Sequence, residues 1–353
     1  LRDCSVQRNN QKVVEESAST LLPDELKEQV LAHTLAIADA VDYVGSGTVE
    51  FIYNLDVNAI YFMEMNTRLQ VEHPVTEATS GVDIVKAQFD IASGESIEHI
   101  ARNEQGYAIE VRVTAEKIVL DSDGVMQLAP SPGLIRNCVM PEQDDVEVIS
   151  IAASGIEVSP FYDSLIAQII CRGDSRDDVI NKLYKYLDKV VIEGIATNIP
   201  LLKKILKDKT FNGGDYDTNY LPAFMATLDA QALIAETQAA ASSGSAVLDT
   251  ESIRVDDSQE LKVFADSSGI YYTAASPSDP DFVQPGDIVS ATQTLALMEA
   301  MKMFRQVTLN DFNQVDMELY PADKKYRIER VNNTNGQQVS SGDLLFIISI
   351  VEE

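Results

Sequence analysis

The feature that most constrains this chain is a stretch with too little bulk to fold around: residues 235–245 read Ala-Glu-Thr-Gln-Ala-Ala-Ala-Ser-Ser-Gly-Ser. Such side chains bury little apolar surface, so the segment reads as a flexible linker. The 353 residues must then fold as separate bodies on either side of it, and a hydrophobic content of 45% can fill their cores. The expected divisions are 1–92, 93–224, a linker over 225–260 and a final unit over 261–353.

Charge narrows the functions open to these bodies. A net charge of -29 opposes nonspecific binding to nucleic acid or anionic membranes, which both need positive charge. No apolar run approaches the about 20 residues that span a bilayer, and no signal peptide opens the chain, so a cytoplasmic location is expected. Cys4, Cys138 and Cys171 are scattered without metal-ligand spacing, which suits a reducing compartment and packing roles. The chain opens on Leu1 rather than Met and is expected to be truncated at its N-terminus.

Residues 24–41 place Leu26, Val30, Leu31, Leu35, Ile37, Ala38 and Val41 at helical spacing, with Pro23 and Asp24 as start signals. Strand patterns follow at 48–53 and 60–65, joined by the turn residues 54–58, and predict a hairpin. Further strands are expected at 109–114 and 165–171. A helix is expected over 177–191, capped by Ser175, with Val179, Ile180, Leu183, Tyr184, Leu187, Val190 and Val191 on one face.

Between residues 64 and 72 every even position is polar: Glu64, Asn66, Arg68, Gln70 and Glu72. An extended conformation would set all five on one side of a strand. Glu50, on the strand paired with this one, could face the same cleft. Two carboxylates and an amide oxygen, from Glu50, Glu64 and Asn66, form a hard-oxygen set suited to Mg²⁺ or Mn²⁺ bridging nucleotide phosphates.

In the last unit, glycine-punctuated residues 283–289 and 336–348 bound short strand patterns and predict a small all-β domain. Lys302 falls on a tight turn between two strands of its first half, where a modifying enzyme can reach it. A lone lysine is usually a solvated charge, but Glu299-Ala300-Met301-Lys302-Met303 sets this one apart. The run resembles the biotin carrier domain of biotin-dependent carboxylases, and implies biotin attached covalently to Lys302 by a biotin protein ligase. The related lipoyl domains usually place Asp where Met301 stands.

A second resemblance covers the rest of the chain outside the linker. Glu64-Met65-Asn66-Thr67-Arg68-Leu69-Gln70-Val71-Glu72-His73-Pro74-Val75-Thr76-Glu77 closely resembles the biotin carboxylase component of acyl-CoA carboxylases, an ATP-grasp enzyme. Glu110-Val111-Arg112-Val113-Thr114-Ala115-Glu116, Pro130-Ser131-Pro132-Gly133 and Tyr162-Asp163-Ser164 extend it. The implied fold class is α+β: the C-terminal half of an ATP-grasp domain, a biotin carboxylase C-terminal domain, then an all-β biotinyl unit, a lipoyl-like flattened barrel.

By that resemblance Glu50, Glu64 and Asn66 bind the metal, and Lys12, Arg68, Gln70 and the backbone of Val71 hold bicarbonate. Gln7, Asn10, Glu50 and Glu64 lie at the ATP site. Glu72 is the base that deprotonates bicarbonate for attack on the γ-phosphate of ATP. The carboxyphosphate so formed decomposes to CO₂ and phosphate, which takes the proton from biotin. Arg112 stabilises the biotin enolate. Where the family commonly has His, this chain has Asn10. The family's N-terminal nucleotide-site lysines and glycine-rich lid are absent, so the chain alone is expected to be inactive.

Residues 225–260 leave no room for a carboxyltransferase domain or for the extra interaction domain of propionyl-CoA-type subunits, which disfavours pyruvate and urea carboxylases. Residues 272–282 resemble the protruding thumb of acetyl-CoA carboxylase carriers. The resemblance therefore implies acetyl-CoA as acceptor, as in fatty acid biosynthesis, chosen by a separate carboxyltransferase subunit. Family members commonly form homodimers through the carboxylase part. A biotinylated carrier or scaffold without carboxylase activity is the other class of reading; the joint presence of Lys12, Glu50, Glu64, Asn66, Arg68, Gln70, Glu72 and Arg112 opposes it.

Overall fold

Residues near the start of the chain turn back on themselves because Asn10 adopts a left-handed φ of 62°, a conformation asparagine tolerates better than most residues. Strands β1 (Asp3–Arg8) and β2 (Gln11–Glu16) therefore pair antiparallel. The computed structural model describes residues 1–8, 10–100, 105–121, 124–242, 260–312, 320–321 and 323–351.

After β2 come helix α1 (Asp24–Ala40), the hairpin β3 (Thr48–Asn54) and β4 (Ala59–Asn66), and helices α2 (His73–Ser80) and α3 (Ile84–Ala92). The predicted hairpin and first helix are both present. Leu26 and Val30 of α1 are buried, but Leu31 and Leu35 face solvent, so only part of its apolar stripe is covered.

The next strand, β5 (Tyr107–Thr114), joins β1 and β2 in a five-stranded antiparallel sheet. Its order is β1, β2, β5, Leu165–Gly173, Val146–Ser150. The sheet thus runs across the expected division at 92/93, because Val14 pairs with Val111 and Glu15 with Glu110. Ile109, Val111 and Val113 join Ile169, Val179, Leu183 and Leu201 in one apolar cluster. The alternate residues Glu110 and Arg112 point to the other face.

Helix Arg176–Leu187 packs on this sheet, and the Ser175 side chain accepts from the Asp178 N–H as its N-cap. The helix stops short of the expected 191. Asp188 and Lys189 N–H groups close the last turn on Tyr184 O and Tyr186 O, and Val191–Glu193 leaves as a strand. Consecutive β-branched residues there favour extended backbone. A buried ionic knot ties the helix down: Arg176 donates at 2.7 Å to each oxygen of Glu16, and Tyr216 donates at 2.6 Å. The Tyr107 hydroxyl also donates to Glu16.

The linker starts later than expected. Residues Ala230–Ser242 form a helix whose Leu233 and Thr237, one turn apart, are buried. Gly194 N–H donates to Ala241 O at 3.0 Å, and Lys204 pairs with Glu236 at 2.8 Å. Poverty in bulk suggested coil, yet alanine is the strongest helix former and one Leu suffices to anchor a short helix against a neighbouring surface. Residues 243–259 lie outside the described residues.

The C-terminal unit is a pair of four-stranded antiparallel sheets. One runs Glu260–Phe264, Leu344–Ile350, Lys325–Val331, Ile288–Ser290; the other Met303–Val307, Ala296–Ala300, Gly269–Tyr272, Gln337–Val339. Val263, Tyr271, Val289, Met298, Tyr326, Ile328, Phe346 and Ile348 fill the space between. Gly269 is required here, since a Cβ would lie 2.6 Å from Glu299 O. Between strands Met303–Val307 and Lys325–Val331 lies the short helix Leu309–Phe312; residues 313–319 and 322 lie outside the described residues. Among the described residues no helix is long and apolar enough to cross a membrane.

Candidate functional site

The site gathers where hairpin β3–β4 and the start of α2 meet the open face of the five-stranded sheet. Glu50 and Glu64 are directly opposite partners across the hairpin, and Thr48 faces Asn66. Asn66 Nδ2 reaches Glu50 at 3.2 Å and Glu64 at 2.9 Å. Gln70 Nε2 donates to the same Glu50 oxygen at 2.8 Å.

Residues 64–72 do not form the expected single extended run. Strand β4 ends at Asn66, the backbone turns, and Glu72 becomes the N-cap residue of α2 with Pro74 in its first turn. Pro74 has no N–H for a strand ladder and suits the first turn of a helix. The His73 ring bonds Gln70 O at 2.8 Å and steadies this turn. Gln70 and Glu72 still converge with Glu50, by a turn rather than by strand alternation.

Glu72 is the pivot. It is 2% exposed, accepts from Lys12 at 2.5 Å on one oxygen and from Arg112 at 3.0 Å on the other. Lys12 also reaches Glu50 at 3.1 Å. Burial alone would push the Glu72 carboxyl up; hydrogen bonding and charge from Lys12, then Arg112, outweigh it and hold the carboxyl below its usual range. Glu72 is therefore ionised at neutral pH.

Behind Arg112 lies a second layer that reading the sequence missed. Glu15 accepts from Arg112 Nε at 2.6 Å, and Glu110 accepts from Gln168 Nε2 at 2.9 Å. Gln168 also holds Val71 O at 2.7 Å, tying the turn before α2 to the sheet. Glu15 and Glu110 are cross-strand partners, both fully buried, and each has one carboxyl oxygen with no partner. Burial pushes both carboxyls well up, against the pull of Arg112 on Glu15 and with the charge of Glu15 adding on Glu110. The available signal was an acidic residue inside strands that are otherwise apolar.

The other expected members are exposed or half-buried. Arg68 is exposed and donates to Leu69 O at 3.2 Å. Val71 is exposed, Gln7 is half-buried on β1 opposite Lys12, and Asn10 is exposed at the turn.

The Glu50, Glu64 and Asn66 set suits a hard cation: rotating the Asn66 amide would offer its oxygen beside two carboxylates. Among the described residues, no cluster of three His, Cys, Asp or Glu side chains could hold a metal ion, so the amide is needed to complete the set.

Lys302 lies in the C-terminal unit on the two-residue turn between Ala296–Ala300 and Met303–Val307, with Ala300 paired to Met303. Met301 and Lys302 have φ of 52° and 61°, the double left-handed geometry that matches strand twist in a tight hairpin. The Lys302 side chain is exposed.

Residues 1–100 match the family model of the carbamoyl-phosphate synthase L chain ATP-binding domain, and residues 110–223 that of the biotin carboxylase C-terminal domain. Biotin carboxylase 1 of Bacillus subtilis (strain 168) is 44% identical over 225 residues, 63% of this chain and 49% of that protein. The chain thus spans about half the length of the curated relatives it matches. The biotin carboxylase domain dimer of Hydrogenobacter thermophilus 2-oxoglutarate carboxylase, solved with MgADP, ADP and bicarbonate, is 39% identical with a TM-score of 0.58, over 65% of this chain and 50% of that one. A single-chain, multi-domain long-chain acyl-CoA carboxylase is 27% identical with a TM-score of 0.59, over 100% of this chain and 32% of that one.

Proposed function

This chain belongs to the biotin carboxylase family through residues 1–100 and 110–223, and from that premise we propose that it activates bicarbonate with ATP to carboxylate biotin carried on Lys302. The observation that carries this reading is the pairing of Glu72 with both Lys12 and Arg112 inside the protein. A carboxylate ionised between two cations can take a proton from a bound anion, which the same cations attract.

Lys12, Gln70, Arg68 and the Val71 backbone N–H hold bicarbonate next to Glu72. As a bicarbonate oxygen bonds to the γ-phosphorus of ATP, the bond from that phosphorus to the ADP oxygen breaks. The bicarbonate proton passes to Glu72. Gln7 and Asn10 lie towards the nucleotide. Glu50, Glu64 and Asn66 would hold Mg²⁺ or Mn²⁺, which neutralises phosphate charge. Biotin would supply the ring nitrogen that accepts the CO₂ released as carboxyphosphate breaks down, its N–H proton leaving on the phosphate so freed, and Arg112, fixed by Glu15, holds the negative charge on the substrate side of the cleft.

The final acceptor is an acyl-CoA, with acetyl-CoA preferred, reached through a separate carboxyltransferase. The segment 272–282 supports this choice as a closed loop, with Phe282 N–H bonded to Thr273 O at 2.7 Å. We place the carboxylase part at 1–224 and the carrier at 261–353, in the cytoplasm, working as a homodimer.

Incubation of the chain with a biotin protein ligase and biotin is expected to add one biotinyl mass that Lys302→Arg abolishes; an unchanged mass, or label surviving that substitution, refutes the attachment site. Assembled with its carboxyltransferase, the enzyme should prefer acetyl-CoA over propionyl- and longer acyl-CoA. A strong preference for propionyl-CoA defeats that choice.

A further inference from the structure

The turn that carries Lys302 is covered on one side by the carboxylase body. Met301, a turn residue that an isolated hairpin would leave in solvent, is 1% exposed and joins the apolar cluster of the five-stranded sheet rather than that of its own unit. Met303 packs against the same cluster. Met301 N–H donates to Pro160 O at 2.5 Å. That amide has no role in the hairpin ladder, which pairs Ala300 with Met303.

A second contact lies beside the first. Lys117, on the strand Glu116–Leu120 that pairs with Met126–Pro130, reaches Asp266 of the C-terminal unit at 3.3 Å. The strand Met303–Val307 packs on Met126–Pro130, so hairpin and ion pair meet one two-stranded ribbon of the body. Arg305, two residues past Met303, also pairs with Asp266. Burial alone would raise the Asp266 carboxyl, but Arg305 and then Lys117 hold it below its usual range.

We infer that the carboxylase body carries a seat for the tip of the lysine hairpin: Pro160 and the apolar cluster receive Met301, while Asp266 latches the unit to Lys117. The seat takes the backbone and the Met301 side chain and leaves Lys302 outside it. This deepens the reading of Lys302 as an attachment point and rests on it for its purpose, though the seat itself does not depend on modification. A carrier arm parked beside the body raises the local concentration of its cargo there, and a latch of one ion pair lets it leave. The latch also sets how readily a ligase can grip the hairpin around Lys302.

Hydrogen exchange at the Met301 amide in the whole chain reads the seat directly. Lys117→Glu is expected to speed that exchange about fivefold to tenfold while the amides of Ala296–Ala300 keep their rates, and Lys117→Arg to retain protection. Raising salt to about 1 M, where the screening length is about 3 Å, should act in the same direction. Ligase-catalysed biotinyl transfer to Lys302 should run faster in Lys117→Glu. A Met301 amide that exchanges as an open turn in the native chain, or keeps its protection in both Lys117→Glu and Asp266→Asn, overturns the seat. Those results with Lys302 still labelled would spare the attachment reading; intact protection without any labelling would sink the attachment reading alone.

Discussion

In the five-stranded sheet Glu15, Glu16 and Glu110 lie inside the protein with Arg112 half-buried beside them, whereas the strands of the C-terminal unit close on Tyr, Val, Ile, Met and Phe and leave Lys302 outside. The first region gets its chemistry by bringing side chains from distant positions into mutual contact. Glu72 meets Lys12 and Arg112 across sequence separations of 60 and 40 residues. The second gets its chemistry from a local turn. Substitutions in the first should therefore propagate, and a change at Lys302 itself should stay where it is made.

The sharpest separation is expected at Glu72. Glu72→Gln in the assembled carboxylase should lower bicarbonate-dependent ATP hydrolysis by about 10²–10⁴-fold, as removal of a general base does. A loss under about tenfold would remove Glu72 from that role.

Arg176→Ala tests the scaffold instead of the cleft. It leaves Glu16 buried without its cation and should cost about 3–5 kcal/mol in urea unfolding of the carboxylase body. The unfolding transition of the C-terminal unit should not move. A shift of both together would show that the two regions unfold as one.

The acidic pair behind Arg112 gives a pH test with a defined sign. Glu110 is pushed up to about 9, so between its ordinary 4.5 and about 9 the folded chain binds more proton than the unfolded one. Its contribution to stability is full below 4.5 and is lost as pH rises through about 9. Thermal melts should show stability falling across that window, and Glu110→Gln should flatten the slope. An unchanged slope would mean the buried pair does not hold the proton.

Two smaller effects complete the contrast. Ser175→Ala removes the cap on helix Arg176–Leu187 and should cost about 1 kcal/mol. Lys302→Arg, on an exposed turn, should change stability by less than about 0.5 kcal/mol while abolishing attachment.

What could be read from sequence follows the same division. The β3–β4 hairpin, the Ser175 cap and the Lys302 turn are short-range patterns, and each is present. The polar run 64–72 was legible as a set of groups but not as a shape, since Pro74 and the turn before α2 break the strand halfway. The helix over Ala230–Ser242 was hidden because alanine-rich composition fits both coil and helix, and the buried contacts of Leu233 and Thr237 come from elsewhere in the chain. Glu15, Glu110 and Gln168 escaped for a related reason. Their roles exist only through strand pairing, and pairing partners nearly a hundred residues apart leave no local trace.

The neighbours Glu15 and Glu16 serve opposite sides of one strand, Glu15 bonding Arg112 and Glu16 bonding Arg176. A slip of β2 by a single position would turn both acids to the opposite faces and leave one of the two arginines without a carboxylate, unseating cleft and scaffold together. Inserting or deleting one residue between Gln11 and Glu16 should thus be far less tolerated than any single replacement there, since the alignment of this short strand is fastened twice.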